Sequence, residues 1–116
     1  MKDEKPVISK DNMYMLLRES KIKEFNELRA RGQNCDLSGK DLRALNLRGM
    51  DVAGVDFSNS YFKQTDLRGL NMTTCNLEGA SIQGARISGV YFPNELSVDE
   101  IQLSNMHGTR MRYNLK

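Results

Sequence analysis

Apolar residues recur at every fifth position from residue 35 onward, and this regularity runs without interruption to residue 94. Divided into fives, the stretch reads CDLSG KDLRA LNLRG MDVAG VDFSN SYFKQ TDLRG LNMTT CNLEG ASIQG ARISG VYFPN. The central residues are Leu37, Leu42, Leu47, Val52, Phe57, Phe62, Leu67, Met72, Leu77, Ile82, Ile87 and Phe92. In a chain that is 39% apolar, an unbroken apolar register of this length would arise by chance on the order of once in 10^5. A period of five suits neither a helix, around which the centres would scatter, nor a long strand, on which they would alternate between faces. The chain is therefore expected to turn at every pentad. Seven of the nine glycines fall at the fifth position, where a corner can require a backbone angle that other residues resist. First positions are mostly small or apolar, with Lys40 the exception. Two inward residues in five leave the second, fourth and fifth facing water. Such a turn packs no core alone and must stack on its neighbours.

A short stack has two open ends, and the flanking sequences offer covers for both. Met13, Leu16, Leu17, Ile22, Phe25 and Leu28 lie at roughly helical spacing, with Ser20 as the start of a second segment and Gly32 as a stop. Downstream, Ser97 and Glu100 spell a capping box, Ile101 and Met106 offer an apolar face, and Gly108 can end the helix. The chain thus divides into a flexible N-terminal segment (1–12), an N-terminal helical cap (13–34), the repeat (35–94) and a C-terminal helical cap and tail (95–116).

The order of small residue, Asp or Asn, Leu or Phe, polar residue and Gly, as in DLSGKDLRALNLRGMDV and TDLRGLNMTTCNLEGASI, resembles the pentapeptide-repeat proteins. That resemblance implies an all-β solenoid, a right-handed quadrilateral β-helix with four pentads to each square coil, capped by N-terminal and C-terminal α-helices. It implies about three coils, ~15 Å tall at the usual strand spacing of ~4.8 Å. The motif is specific for fold and leaves function open. The expected function is that of a non-enzymatic, cytoplasmic scaffold binding another protein. One alternative is a DNA-mimic type of topoisomerase (gyrase) binding protein, as some members of the family are. Those are long, strongly acidic dimeric rods, whereas this chain is three coils tall with a net charge of +2. A second alternative is nucleic-acid binding through a basic strip, disfavoured because Tyr61 and Tyr91 are the only interleaved aromatics expected to be exposed. A secreted-effector role would place a compositional signal in residues 1–12.

Charge enters through its distribution. Lys and Arg number 17 against 15 Asp and Glu, too nearly balanced for a strong global field. If four pentads make a coil, residues twenty apart lie above one another. Arg43 then stacks with Lys63 on the second face, and Arg48 with Arg68 on the third, where Arg86 joins them. Asp36, Asp56 and Glu78 mark the first face as acidic. Arg43, Arg48, Lys63, Arg68 and Arg86 are accordingly the candidate partner-binding residues. The competing expectation is that Asp41 and Asp66 neutralise their neighbours in solvated pairs contributing ~0.5 kcal/mol each.

A second surface gathers Tyr91, Phe92, Pro93, Leu96, Val98 and Leu103 at the C-terminal junction. Excess apolar area there, with the pairing of some family members through that end, suggests a homodimer through the C-terminal end with Tyr91, Phe92, Leu96, Val98 and Leu103 in its interface. Catalytic, cofactor and metal residues are expected to be none. The single histidine, His107, has no cysteine or carboxylate cluster beside it, the glycines spell neither G-x-G-x-x-G nor a P-loop, and the sequon Asn71-Met72-Thr73 is centred on an inward position. Cys35 and Cys75 would be about 10 Å apart, beyond disulfide reach, and act as small hydrophobes. No apolar run is long enough for a signal peptide or a membrane span, so no membrane partner is expected.

Overall fold

The computed structural model describes residues 11–114. Most of the segment expected to be flexible, and any effector signal within it, lies outside the described residues; Asp11 and Asn12 instead open the first helix. Three helices are present: α1 (Asn12–Arg18), α2 (Ile22–Ala30) and α3 (Val98–His107). Asp11 caps α1 by accepting a hydrogen bond from the Met13 N–H at 2.9 Å. The break before α2 comes at Ser20, whose φ of 63° is left-handed. Gly32 follows α2 at φ 92°, and Gln33 N–H returns to the Leu28 carbonyl at 3.0 Å, which stops that helix.

Between the helices the expected all-β solenoid is not what forms. Among the described residues there is no strand, sheet or barrel; residues 35–94 are turns joined by isolated parallel bridges. The physical reason lies in the pentad. Two of its five residues make the corner, the first and third turn inward, and only the second is placed to bridge. One bridging residue per side is too few to make a strand, so a right-handed quadrilateral β-helix is replaced by a stack of turns. The twenty-residue spacing nevertheless holds, through Asp36–Asp56, Asp41–Tyr61, Asn46–Asp66, Asp56–Asn76, Tyr61–Ser81, Asp66–Arg86 and Asn71–Tyr91. We number the coils one (35–54), two (55–74) and three (75–94), each with four sides.

Third-position residues from Leu37 to Ile82 are buried, and Phe57 meets Phe62 edge-on at the centre, with ring centroids 5.2 Å apart. In coil three Ile87 and Phe92 are only half-buried. Corners are left-handed at the fifth position even without glycine: Ala44, Asn59 and Gln64 take φ of 59–61°. There the corner overrides the residue's own preference. On the fourth side of coil two, Thr74 lacks this angle, its hydroxyl accepts from Gly54 N–H at 3.0 Å, and no Asp51–Asn71 bridge forms.

The second-position Asp and Asn residues secure the corners. Each side-chain oxygen accepts the N–H of the residue two further on: Asp36 from Ser38, Asp41 from Arg43, Asn46 from Arg48, Asp51 from Ala53, Asp56 from Ser58, Asp66 from Arg68, Asn71 from Thr73 and Asn76 from Glu78. These Asx turns explain why the repeat uses both Asp and Asn there. The requirement is for an acceptor oxygen, with or without charge.

Both ends of the stack are finished by side chains from the helices. Beneath coil one, Tyr14 donates its hydroxyl to the Asp41 carbonyl at 2.9 Å, and Arg18 reaches the Arg43 carbonyl at 3.3 Å. Asn26 binds both Gly49 C=O and Asp51 N–H, and Arg29 donates to the Ala53 carbonyl. Above coil three, Met111 exchanges backbone hydrogen bonds with Gly79 and Ala80, Tyr113 accepts from Leu77 N–H, and Ser104 accepts from Ile82 N–H. The capping box is half-formed. Ser97 accepts from Glu100 N–H, but the Glu100 carboxylate turns to Arg112 at 2.9 Å. The inward side of α3 carries Ser104, fully buried, with Ile101 and Asn105 half-buried, while Met106, expected inside, is 68% exposed.

Candidate partner-binding surface

The twenty-residue stacking brings the sequence-derived cations onto two adjacent sides. Arg43 and Lys63 share a groove on the second side with Asp41, Ala44 and Gln64, joined from α1 by Arg18. Arg48 and Arg68 share one on the third side, and Arg86 bridges directly above Asp66. Because Arg86 stands where the pattern has Asp or Asn, its corner has no Asx bracket.

These five cations are of two kinds. Arg43 forms a bidentate pair with Asp41, both contacts at 2.8 Å, and Arg68 a similar pair with Asp66 at 3.0 and 2.8 Å. Each carboxylate therefore serves its corner N–H and its guanidinium together. Arg48, Lys63 and Arg86 are exposed and have no ion pair among the described residues. On the first side Asp36 and Asp56, two of the three acids expected there, also accept the N–H of their own corners.

The Arg43 guanidinium, with the Arg43 backbone N–H, holds the Asp41 carboxyl down to about 2 against partial burial, and Arg68 does the same to Asp66. Both values lie below the ordinary 3.8. Depressed folded-state values contribute stability that is present above about pH 4 and is lost as pH falls toward 2. The Asp41→Asn, Asp66→Asn double variant keeps the turn acceptors and removes the charges, so its urea midpoint should fall less than that of the parent between pH 4.5 and pH 2. Parallel acid limbs would show that the two pairs do not couple to folding.

Arg110 extends the second side, its guanidinium lying 5.4 Å over the Tyr61 ring and donating to the Tyr61 hydroxyl. Neither Arg18 nor Arg110 has a position in the repeat, so period-twenty mapping could not find them; the only signal was basic residues within the caps. At the C-terminal junction the structure separates the expected interface residues. Tyr91, Val98 and Leu103 are exposed, but Leu96 is 7% exposed and belongs to the core, and Phe92 is half-buried against it. Leu96 turns inward because the chain must cross the end of coil three, where Pro93 C=O accepts its N–H.

Among the described residues no group of His, Cys, Asp or Glu could hold a metal ion, and no helix is long and apolar enough to cross a membrane. Cys35 and Cys75 are free thiols, both pushed up to about 11 by burial. They remain protonated, and Cys75 donates to the Val52 carbonyl at 3.1 Å.

Residues 56–92 match the family model described as pentapeptide repeats, in eight copies. No curated protein and no solved structure matches the chain. The same register of five continues back to Cys35, with the same buried third positions and the same Asx turns. The three unpaired cations lie on this repeat framework, whose bridges set the spacing of the columns.

Proposed function

We propose that the protein is a non-enzymatic repeat scaffold that binds an acidic surface of another protein through the second and third sides of the stack. The supporting observation is the division among the cations: Arg48, Lys63 and Arg86 are exposed without carboxylate partners, while Arg43 and Arg68 are held by Asp41 and Asp66. Unpaired cations on a rigid frame have no internal bond to break when an acidic partner arrives. The paired arginines flank them and set the shape of the strip. Solvent and salt screen such contacts, so affinity should fall as ionic strength rises.

The test is affinity capture from lysate with the parent protein beside an Arg48→Glu, Lys63→Glu, Arg86→Glu variant whose thermal unfolding matches the parent's. The parent should retain an acidic protein that the variant loses by at least tenfold, while an Arg43→Gln variant has a smaller effect. Equal retention by both would refute the strip as the binding face. Retention of nucleic acid in place of protein, removed by nuclease, would overturn the choice of partner.

A further inference from the structure

The lower edge of coil one is completed unevenly. Within the stack, each second-position residue points its N–H and C=O at the coil below. Its N–H donates to a first-position carbonyl, as Asp66 does to Leu45, and its carbonyl accepts a third-position N–H, as Asp66 does from Leu47. Coil one has no coil beneath it. Its second side is served by Tyr14 and Arg18, and its fourth by Asn26 and Arg29. The third side is reached only at its corner, where Asn26 donates to Gly49 C=O at 2.9 Å. Among the described residues, Asn46 N–H, Asn46 C=O and Arg48 C=O accept or donate no hydrogen bond. A groove of roughly 560 Å³ runs along this edge, lined by Ser20, Ile22, Asn46, Arg48, Gly49 and Arg68. Above it stands Arg48, which has no ion-pair partner.

We propose that this groove takes an extended acidic peptide segment of a protein partner, which pairs with the free backbone groups of Asn46 and Arg48 as a fourth layer of the stack. The proposal deepens the basic-strip reading and rests on it for the role of Arg48 and Arg68. Both halves of the recognition are on this edge. Free N–H and C=O groups select an extended backbone, as in strand addition to an open edge, and the unpaired guanidinium selects a carboxylate. The pairing rule of the stack specifies the guest. Its first residue accepts from Asn46 N–H, its third donates to Asn46 C=O, and its fifth donates to Arg48 C=O. Its second and fourth side chains point outward, the fourth directly under Arg48, where an acid belongs. Its third side chain turns in toward Ile22, which is half-buried and offers an apolar contact.

The probe is a capped peptide, Gly-Ala-Asp-Leu-Glu-Gly-Ala, titrated into the isotopically labelled full chain at physiological salt and followed by NMR. Shifts centred on the Asn46 and Arg48 amides are expected, with slowed exchange of the Asn46 amide on binding. Methylating the leucine nitrogen, which would face Asn46 C=O, should weaken binding tenfold or more. Methylating the aspartate nitrogen, which points away, should change it less than twofold. Arg48→Glu should weaken the unmodified peptide by at least fivefold.

Binding that survives leucine methylation but is lost with Arg48→Glu would show charge attraction without edge pairing; it overturns this proposal and leaves the strip reading standing. Shifts confined to Lys63 and Arg86, or no binding, would also overturn it, the strip then being judged by capture alone. An Asn46 amide already slow to exchange in the free protein would mean that the edge is taken by the chain itself, and the proposal fails.

Discussion

Truncating Phe57 to alanine is expected to lower the free energy of unfolding by about 3–5 kcal/mol. The residue is fully buried in coil two, with its ring against Phe62 at 5.2 Å and 63° between planes. Its coil is bridged below at Asp36–Asp56 and above at Asp56–Asn76, so the backbone around the vacated ring cannot close inward without breaking ladder hydrogen bonds. The cavity therefore persists, and the penalty should fall at the upper end of the range for aromatic truncation. For a domain whose total stability is about 5–15 kcal/mol, one such change removes a large fraction. Urea unfolding followed by circular dichroism measures it, with Phe57→Leu as the control that refills most of the space. A loss below about 1 kcal/mol for Phe57→Ala would mean that the coils slide together and that the stack is more plastic than its bridges suggest.

The second large effect is expected at Asn105. Its side-chain amide donates to the carbonyls of Ile82 at 3.2 Å and Ala85 at 3.0 Å, and its own carbonyl receives Gly84 N–H at 2.9 Å. Asn105→Ala leaves the Ala85 carbonyl at the top of the core without a partner, at about 1–3 kcal/mol where water cannot reach, while the Ile82 carbonyl loses one of its two donors and keeps Ala85 N–H. The better helix propensity of alanine returns about 0.5 kcal/mol, and the site is only half-buried, so a net loss of about 1–2 kcal/mol is expected. Because α3 is held to coil three largely through this residue and Ser104, Gly84 N–H should also exchange with solvent much faster. If stability falls but Gly84 exchange is unchanged, the loss arises within α3 and the docking account fails.

The repeat itself was plain in the sequence because a register of five with inward third positions has no competing explanation in helix or strand. The same regularity places Arg43 with Lys63, and Arg48 with Arg68. It misjudged the sides as strands, since burial periodicity reports which residues face in and says nothing of how many successive residues can ladder. It placed Asp36 and Asp56 on one face without showing their bonds to the Ser38 and Ser58 N–H groups, because a carboxylate bound to the N–H two residues on has the same spelling as a free one. Leu96 was assigned to an interface because apolar residues beyond a repeat carry no register, and only the path across coil three shows which of them turn in.

Residues 35–94 determine by themselves the turning period, the inward columns and the twenty-residue vertical neighbours, since each follows from short-range backbone geometry and apolar burial. Which cations remain free, which backbone groups at the two ends are satisfied, and where a groove is left open were decided by tertiary structure alone. Those outcomes depend on where α1, α2, α3 and the tail come to rest against the stack, and on hydrogen bonds between residues twenty or more apart. No local pattern encodes that docking. Asn26 and Asn105 look like ordinary polar residues on short helices until the ladder positions they complete are in view.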